Sequence, residues 1–291
     1  MGRGIALVFA SAGFSVKLFE PDTRVREGIR ARLAADVRSF DGDEAAVERV
    51  DVTGNLREAV TGADFVTEAA PERLDLKRSI FAELEAIAPA TAILASNTSV
   101  LPIGEIAAGR AGAERIIGTH WWNPPGLVPL VEVVPSRYTS QATVARTMEL
   151  LRSVGKAPAE IARDVPGFVA NRLQHALWRE AIAMVAQGIC DSRTLDDCVK
   201  NSFGLRLAVL GPLENADLVG LDLTLDIHRA LLPDLDRSPG PNPYLEAQVA
   251  AGRLGFKSGA GFRPWTSEEM AEVRQRLAAH LLEAKRKSAS A

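Results

Sequence analysis

The chain is poor in the features that tie a protein to the cell exterior, a membrane, a metal or a nucleic acid. Its two cysteines, Cys190 and Cys198, cannot build a disulfide framework, and their spacing fits neither a zinc knuckle nor a redox pair. They read as reduced thiols. No apolar run is long enough to span a bilayer, and the start has Arg3 without a signal-type apolar core. A cytoplasmic protein with no membrane partner is therefore expected. The four histidines, His120, His175, His228 and His280, form no recognisable ligand spacing, so no metal is expected. A formal net charge of −3 offers no general attraction for nucleic acid. What is present is apolar material: 47% of the 291 residues are hydrophobic, enough for one large or two medium domains with proper cores. A small molecule is the expected partner.

The apolar residues follow two different patterns. Up to about residue 160, short β-rich runs alternate with longer segments of helical period, as βαβ units in a parallel sheet do. This predicts strands over 15–20, 64–67, 92–96, 115–119 and 131–134, and helices over 24–37 and 76–88. Past Val165-Pro166-Gly167 the β runs stop, and long periodic segments predict helices over 168–187, 194–201 and 216–232. The closing stretch over 267–290 is charged and ends in Lys285-Arg286-Lys287, which suits a solvated helix C-terminus better than a nucleic-acid patch. The expected fold class is α/β: a Rossmann-like, doubly wound, mostly parallel sheet over 1–164, then an all-α C-terminal domain over 165–291.

The start reads as the tail of a nucleotide site. Met1-Gly2-Arg3-Gly4-Ile5-Ala6, followed by Ser15-Val16-Lys17-Leu18-Phe19-Glu20, looks like a Rossmann first helix running into the second strand. Gly2 stands as the third glycine of G-x-G-x-x-G, which puts the first strand and two glycines upstream of Met1. A start codon placed too far downstream, or a truncated chain, is the expectation. Glu20 ends the next strand, where a carboxylate accepts from the adenosine ribose 2′-hydroxyl and favours NAD over NADP. A strand-end surface acid is the plainer alternative.

Four blocks carry more specific information: Ala95-Ser96-Asn97-Thr98-Ser99, Gly118-Thr119-His120-Trp121-Trp122-Asn123-Pro124, Pro129-Leu130-Val131-Glu132-Val133, and Asp164-Val165-Pro166-Gly167-Phe168-Val169-Ala170-Asn171-Arg172. In order and approximate spacing the chain resembles the 3-hydroxyacyl-CoA dehydrogenase family, including its gulonate dehydrogenase or lambda-crystallin and carnitine dehydrogenase branches. The resemblance implies NAD as cofactor, an S-configured carbinol carbon, a homodimer formed through the helical domain, and a site between the domains. Oxidising a carbinol needs a base, and imidazole titrates nearest neutral pH, so His120 at a strand end is the candidate. Glu132, in an otherwise apolar run where a lone carboxylate would be costly, is the candidate to hold and charge-balance that ring. The resemblance assigns Ser99 and Asn171 to the reacting oxygen, and Glu72, Lys77, Asn97, Glu20 and Gly2 to the cofactor. Plainer readings stay open: a helix cap for Ser99, a solvated early-helix residue for Asn171, and ordinary loop and first-turn residues for Glu72 and Lys77.

Two branches compete for the substrate. Trp121-Trp122-Asn123-Pro124-Pro125 and Arg206-Leu207-Ala208-Val209-Leu210-Gly211-Pro212 are closer to the branch acting on free hydroxy carboxylates, whereas Asp217-Leu218-Val219-Gly220-Leu221-Asp222 is closer to the acyl-CoA branch. The segment after the second strand lacks lysine but carries Arg24, Arg26, Arg30, Arg32 and Arg38, which could grip coenzyme A phosphates. The expectation is an acyl-CoA, with a hydroxy carboxylate as the alternative and a catalytically silent relative as a third reading.

Overall fold

Central strands of a parallel sheet are covered on both faces and so read as continuous apolar runs. Ile93–Ser96 and Ile116–Trp121 do, and both are buried at every position in the computed structural model, which describes residues 1–289. In chain order the elements are α1 (Gly2–Ser11), β1 (Val16–Phe19), α2 (Thr23–Glu27), α3 (Ile29–Ser39), β2 (Val50–Thr53), α4 (Leu56–Val60), β3 (Phe65–Glu68), α5 (Leu74–Ile87), β4 (Ile93–Ser96), α6 (Ile103–Ala107), β5 (Ile116–Trp121), β6 (Leu130–Pro135), α7 (Gln141–Ser153) and β7 (Ala157–Glu160). Helices follow: α8 (Ala170–Ala186), α9 (Ser192–Lys200), α10 (Pro212–Val219), α11 (Leu221–Leu231), α12 (Pro243–Ala250) and α13 (Ser267–Ala289). The α/β fold with a helical C-terminal region is the one expected.

The strands form a two-stranded sheet, β1-β2, and a five-stranded sheet in the order β3-β4-β5-β6-β7. All pairings are parallel except β5 with β6, which is antiparallel. Helix α1 serves both sheets. A helix that is apolar all round needs cover on every side, and Ile5 to Ala10 are all buried. Ile5, Val8 and Phe9 join the core with Ile93, Ile117 and Val131, while Ala6, Leu7 and Ala10 join Ile29, Leu33 and Val50.

Several expectations need correction. Strands β2 and β7 were not anticipated: Val50-Asp51-Val52-Thr53 is short, and Ala157-Pro158-Ala159-Glu160 contains weak β-formers, tolerable because β7 is an edge strand. The helix expected over 24–37 breaks at Gly28, and that over 216–232 breaks at Gly220, whose φ is 100°. Phe168 does not start α8, because Gly167 and Phe168 both adopt left-handed backbone, φ 74° and 50°.

The chain divides into one unit of Met1–Asn171 with the stretch from Gln275 onward, and a second of Arg172–Arg274. The sequence reading places the boundary after Asp164, a few residues before this division by compactness. The last helix is also not simply solvated. Leu281 and Leu282 pack against the first unit's core, Lys285 donates to the Phe40 carbonyl at 3.1 Å, and Arg286 pairs with Asp41. The second unit is built of helices, with isolated bridges joining Ala260 to Gly255 and Pro264, and among its described apolar side chains only Ala183 is buried. Among the described residues no helix is long and apolar enough to cross a membrane.

Candidate active site

The antiparallel register of β5 and β6 sets His120 directly opposite Glu132. Both side chains are buried, at 4% and 2% exposure, and His120 Nδ1 lies 2.7 Å from Glu132 Oε2. With the carboxylate accepting from Nδ1–H, the lone pair falls on Nε2, the nitrogen left for proton exchange. The rings of Trp122 and Phe168 flank the imidazole at 5.4 and 5.7 Å between centroids.

Glu132 has a second duty. Its Oε1 accepts from the Val169 and Ala170 amides at 2.9 and 3.1 Å, so one carboxylate holds the imidazole and the entry to α8 together. The left-handed turn at Gly167-Phe168 leads the chain into those two bonds. Burial raises the Glu132 pKa, but the hydrogen bonds from His120 and the two amides, with the imidazole's charge, outweigh burial and hold the carboxyl below its ordinary value.

One residue into α8, Asn171 Nδ2 donates to the Ser99 carbonyl at 3.0 Å. The four candidates Ser99, His120, Glu132 and Asn171 are therefore joined by hydrogen bonds and one short stretch of backbone. The Ser99 loop is held from the other side by Glu72. Its Oε1 accepts from the Thr98 hydroxyl and from the Ser99, Val100 and Leu101 amides, the last three at 3.0, 2.9 and 3.3 Å. Burial pushes Glu72 up; the Thr98 and Val100 hydrogen bonds, the Lys77 charge and the Leu101 amide more than reverse this and leave its pKa lowered.

Lys77 and Asn97 are engaged inside the protein. Lys77 is fully buried, and Nζ binds both oxygens of Glu68 at 2.8 and 3.0 Å. Asn97 Oδ1 accepts from the Trp121 amide at 2.9 Å, tying the end of β4 to the end of β5. The sequence reading missed Glu68, which also accepts from Ser96 Oγ at 2.7 Å, although an acid closing Phe65-Val66-Thr67 has the same signature that singled out Glu132. It missed Asp164 as well, whose carboxylate receives the Ile103 and Gly104 amides at 2.9 and 2.6 Å and anchors the segment leading to α8. No local pattern marks that role.

At the nucleotide end, α1 starts without a side-chain cap, and a Cβ on Gly2 would meet only Ala69 at 3.6 Å. Such a bare helix start with a small residue fits a diphosphate. Glu20 is part-exposed at the end of β1, and its Oε1 takes the Asp22 amide at 3.1 Å. The arginines considered for phosphate are largely committed elsewhere. Arg30 and Arg38 pair with Glu48 and Glu44 at 3.4 and 3.5 Å, and Arg26 donates to the Glu20 carbonyl at 2.7 Å.

Comparison with known proteins bears on the whole chain. Residues 1–165 match the model of the 3-hydroxyacyl-CoA dehydrogenase NAD binding domain, and residues 167–265 match that of the 3-hydroxyacyl-CoA dehydrogenase C-terminal domain. The chain is 33% identical to 5-formyl-3-hydroxy-2-methylpyridine 4-carboxylate 5-dehydrogenase of Mesorhizobium japonicum, over 98% of this chain and 94% of that protein. It is 38% identical to a probable 3-hydroxybutyryl-CoA dehydrogenase of Bacillus subtilis, over 90% and 93%. A solved structure of the pyridine carboxylate enzyme, described as an NAD-dependent dismutase, superposes with a TM-score of 0.92 at 33% identity, over 98% of this chain and 94% of that one.

Proposed function

This chain belongs to the 3-hydroxyacyl-CoA dehydrogenase family of NAD-dependent enzymes acting on CH–OH groups, and on that footing we propose that it oxidises the hydroxyl of a small hydroxy carboxylate. NAD, when bound, supplies the hydride acceptor. His120 Nε2 takes the hydroxyl proton, and Glu132 balances the imidazolium that results. Ser99 and Asn171 hydrogen-bond the reacting oxygen. Glu20 receives the adenosine ribose and the start of α1 the diphosphate; Glu72, Lys77 and Asn97 act on the cofactor side by fixing the loop and strand ends around it.

The observation that carries the catalytic reading is the buried His120–Glu132 pair at 2.7 Å, with the second carboxylate oxygen holding the helix that bears Asn171. The carboxylate substrate is favoured over an acyl-CoA by the segment after β1, which holds no lysine and runs into the acidic Asp41-Gly42-Asp43-Glu44. The likeness over almost all of both chains to a pyridine carboxylate dehydrogenase supports the same choice. An acyl-CoA substrate is the second reading, supported by the Bacillus subtilis relative.

The experiment is NADH formation with a pyridine hydroxy carboxylate, L-gulonate, L-carnitine and 3-hydroxybutyryl-CoA offered separately. Turnover with a carboxylate and none with the thioester is expected; the reverse overturns the substrate assignment. We further infer a homodimer built through the second unit, since Leu205, Val209, Leu213 and Leu218 stand 70%, 80%, 78% and 70% exposed.

A further inference from the structure

Lys156 lies outside the constellation described above, yet it reaches the connection that joins the two arms bearing His120 and Glu132. Its backbone is fixed where α7 turns into β7: Gly155 has φ 73°, the Lys156 amide donates to the Leu151 carbonyl at 3.0 Å, and Ala157 pairs with Leu130. The side chain runs to the β5–β6 connection, where Nζ donates to the Pro125 carbonyl and, at 3.0 Å, to the Val128 carbonyl. The ammonium also lies 5.6 Å from the centre of the Trp121 ring.

That connection is packed tightly against the nucleotide end. A Cβ on Gly4, in the first turn of α1, would come within 2.6 Å of Pro125 Cγ, and one on Gly126 within 2.6 Å of the Phe40 ring. Leu127 is buried in the cluster that holds Ala6, Leu7 and Phe40. Pro125 therefore abuts the helix turn proposed to receive the diphosphate, and Lys156 holds the carbonyl of that same residue.

We propose that Lys156 is a positioning residue for the cofactor: it clamps the connection against the first turn of α1 and thereby couples the NAD site to the strands carrying His120 and Glu132. The inference rests on α1 being the diphosphate-receiving helix. A charge-assisted bond from an ammonium to two carbonyls is stronger than a neutral one and suits a clamp on an irregular segment. Among the described residues no carboxylate is a hydrogen-bond partner of this ammonium; a neighbouring charge is Lys285, which itself binds the Phe40 carbonyl. Burial and that second cation lower the Lys156 pKa to about 8, so the clamp is charged at neutral pH.

The test uses the full chain and NADH as the probe, titrated by energy transfer from tryptophan, with thermal unfolding followed with and without NADH. Lys156→Met is expected to weaken NADH about tenfold, the equivalent of one charge-assisted hydrogen bond. Lys156→Arg, which keeps a charged donor, should stay within about threefold. If Lys156→Met does not fold, Lys156→Gln gives the same reading with a neutral donor. A merely structural lysine would lower the unfolding temperature equally with and without NADH and leave its Kd unchanged, which overturns the proposal. Gly4→Ala separates the two layers of inference, because its Cβ collides with Pro125. NADH weakened by Gly4→Ala and untouched by Lys156→Met sinks the clamp but keeps the α1 reading; NADH indifferent to both sinks the α1 reading and the clamp with it.

Discussion

The two units handle apolar surface in opposite ways. In the first, α1 and the strands β4, β5 and β6 bury their side chains around charged groups that are paired: Glu68 with Lys77, Glu132 with His120, Asp164 with the start of α6. The second unit has helices of comparable apolar content, and they leave leucine and valine side chains in solvent from Leu173 to Leu254. One unit spends its hydrophobic residues on rigid placement of buried charge, which costs several kcal/mol per unpaired ion and needs a dry, well-packed frame. The other keeps them outward, where they suit association with a second surface. On the proposed reading chemistry and assembly fall to different halves, and each half can be broken separately.

The largest effect is expected in the first unit. His120→Gln keeps a neutral polar group and removes the proposed base, so turnover should fall about a thousandfold while NADH affinity stays within about threefold. Steady-state kinetics beside an NADH titration checks both, and a variant with near-normal turnover removes His120 from the mechanism. The oligomer should survive this change. The converse holds for Val209→Asp combined with Leu213→Asp, which places charges on the exposed apolar face. Burying them should cost about 3 kcal/mol and weaken self-association roughly a hundredfold, seen as monomer by sedimentation. A wild-type chain that sediments as a monomer, or a double variant that remains a dimer, would dissolve the division of labour.

The same contrast explains what was legible in the sequence. The buried strands β4, β5 and β6 announce themselves as continuous apolar runs, and an acid inside such a run, Glu132, has to have a partner. Short β2 and β7 do not stand out, because pairing to a neighbour defines them rather than composition. The site residues came from motif order, but their couplings did not. That Glu132 caps α8, that Glu72 collects the amides of the Ser99 loop, and that Lys156 reaches two carbonyls of another connection are contacts between distant segments without local spacing. The helical periodicity of the second half was equally plain, yet period alone does not say which partner covers an apolar face.

Glu132→Gln sharpens the account of the first unit at intermediate size. Losing the carboxylate should lower turnover about tenfold to a hundredfold and stability at neutral pH by about 2 kcal/mol, since hydrogen bonds to a charged acceptor are replaced by neutral ones. Although burial raises it, the hydrogen bonds from His120 and the Ala170 and Val169 amides hold the folded pKa below the ordinary glutamate value of 4.5. This carboxylate therefore contributes stability in full above about 4.5, and that contribution is lost as pH falls through the lower folded value. In the variant that acid-side loss should vanish. Unfolding midpoints that fall in parallel for both proteins below pH 4.5 would show that Glu132 is not what the acid titrates.

Glu20→Ala tests the outer rim, and its effect should be the smallest. The carboxylate is part-exposed and accepts from the Asp22 amide, so its removal should leave folding nearly unchanged. A carboxylate facing the ribose both accepts from the 2′-hydroxyl and repels a 2′-phosphate. Without it the preference for NAD over NADP should narrow about tenfold, about 1.4 kcal/mol, mostly through KM. Arg26 holds the Glu20 carbonyl at 2.7 Å from beside Gly54, so the backbone of this rim stays put when the acid is removed. An unchanged preference would accordingly move the ribose contact to another residue, because a shifted loop could not be the reason.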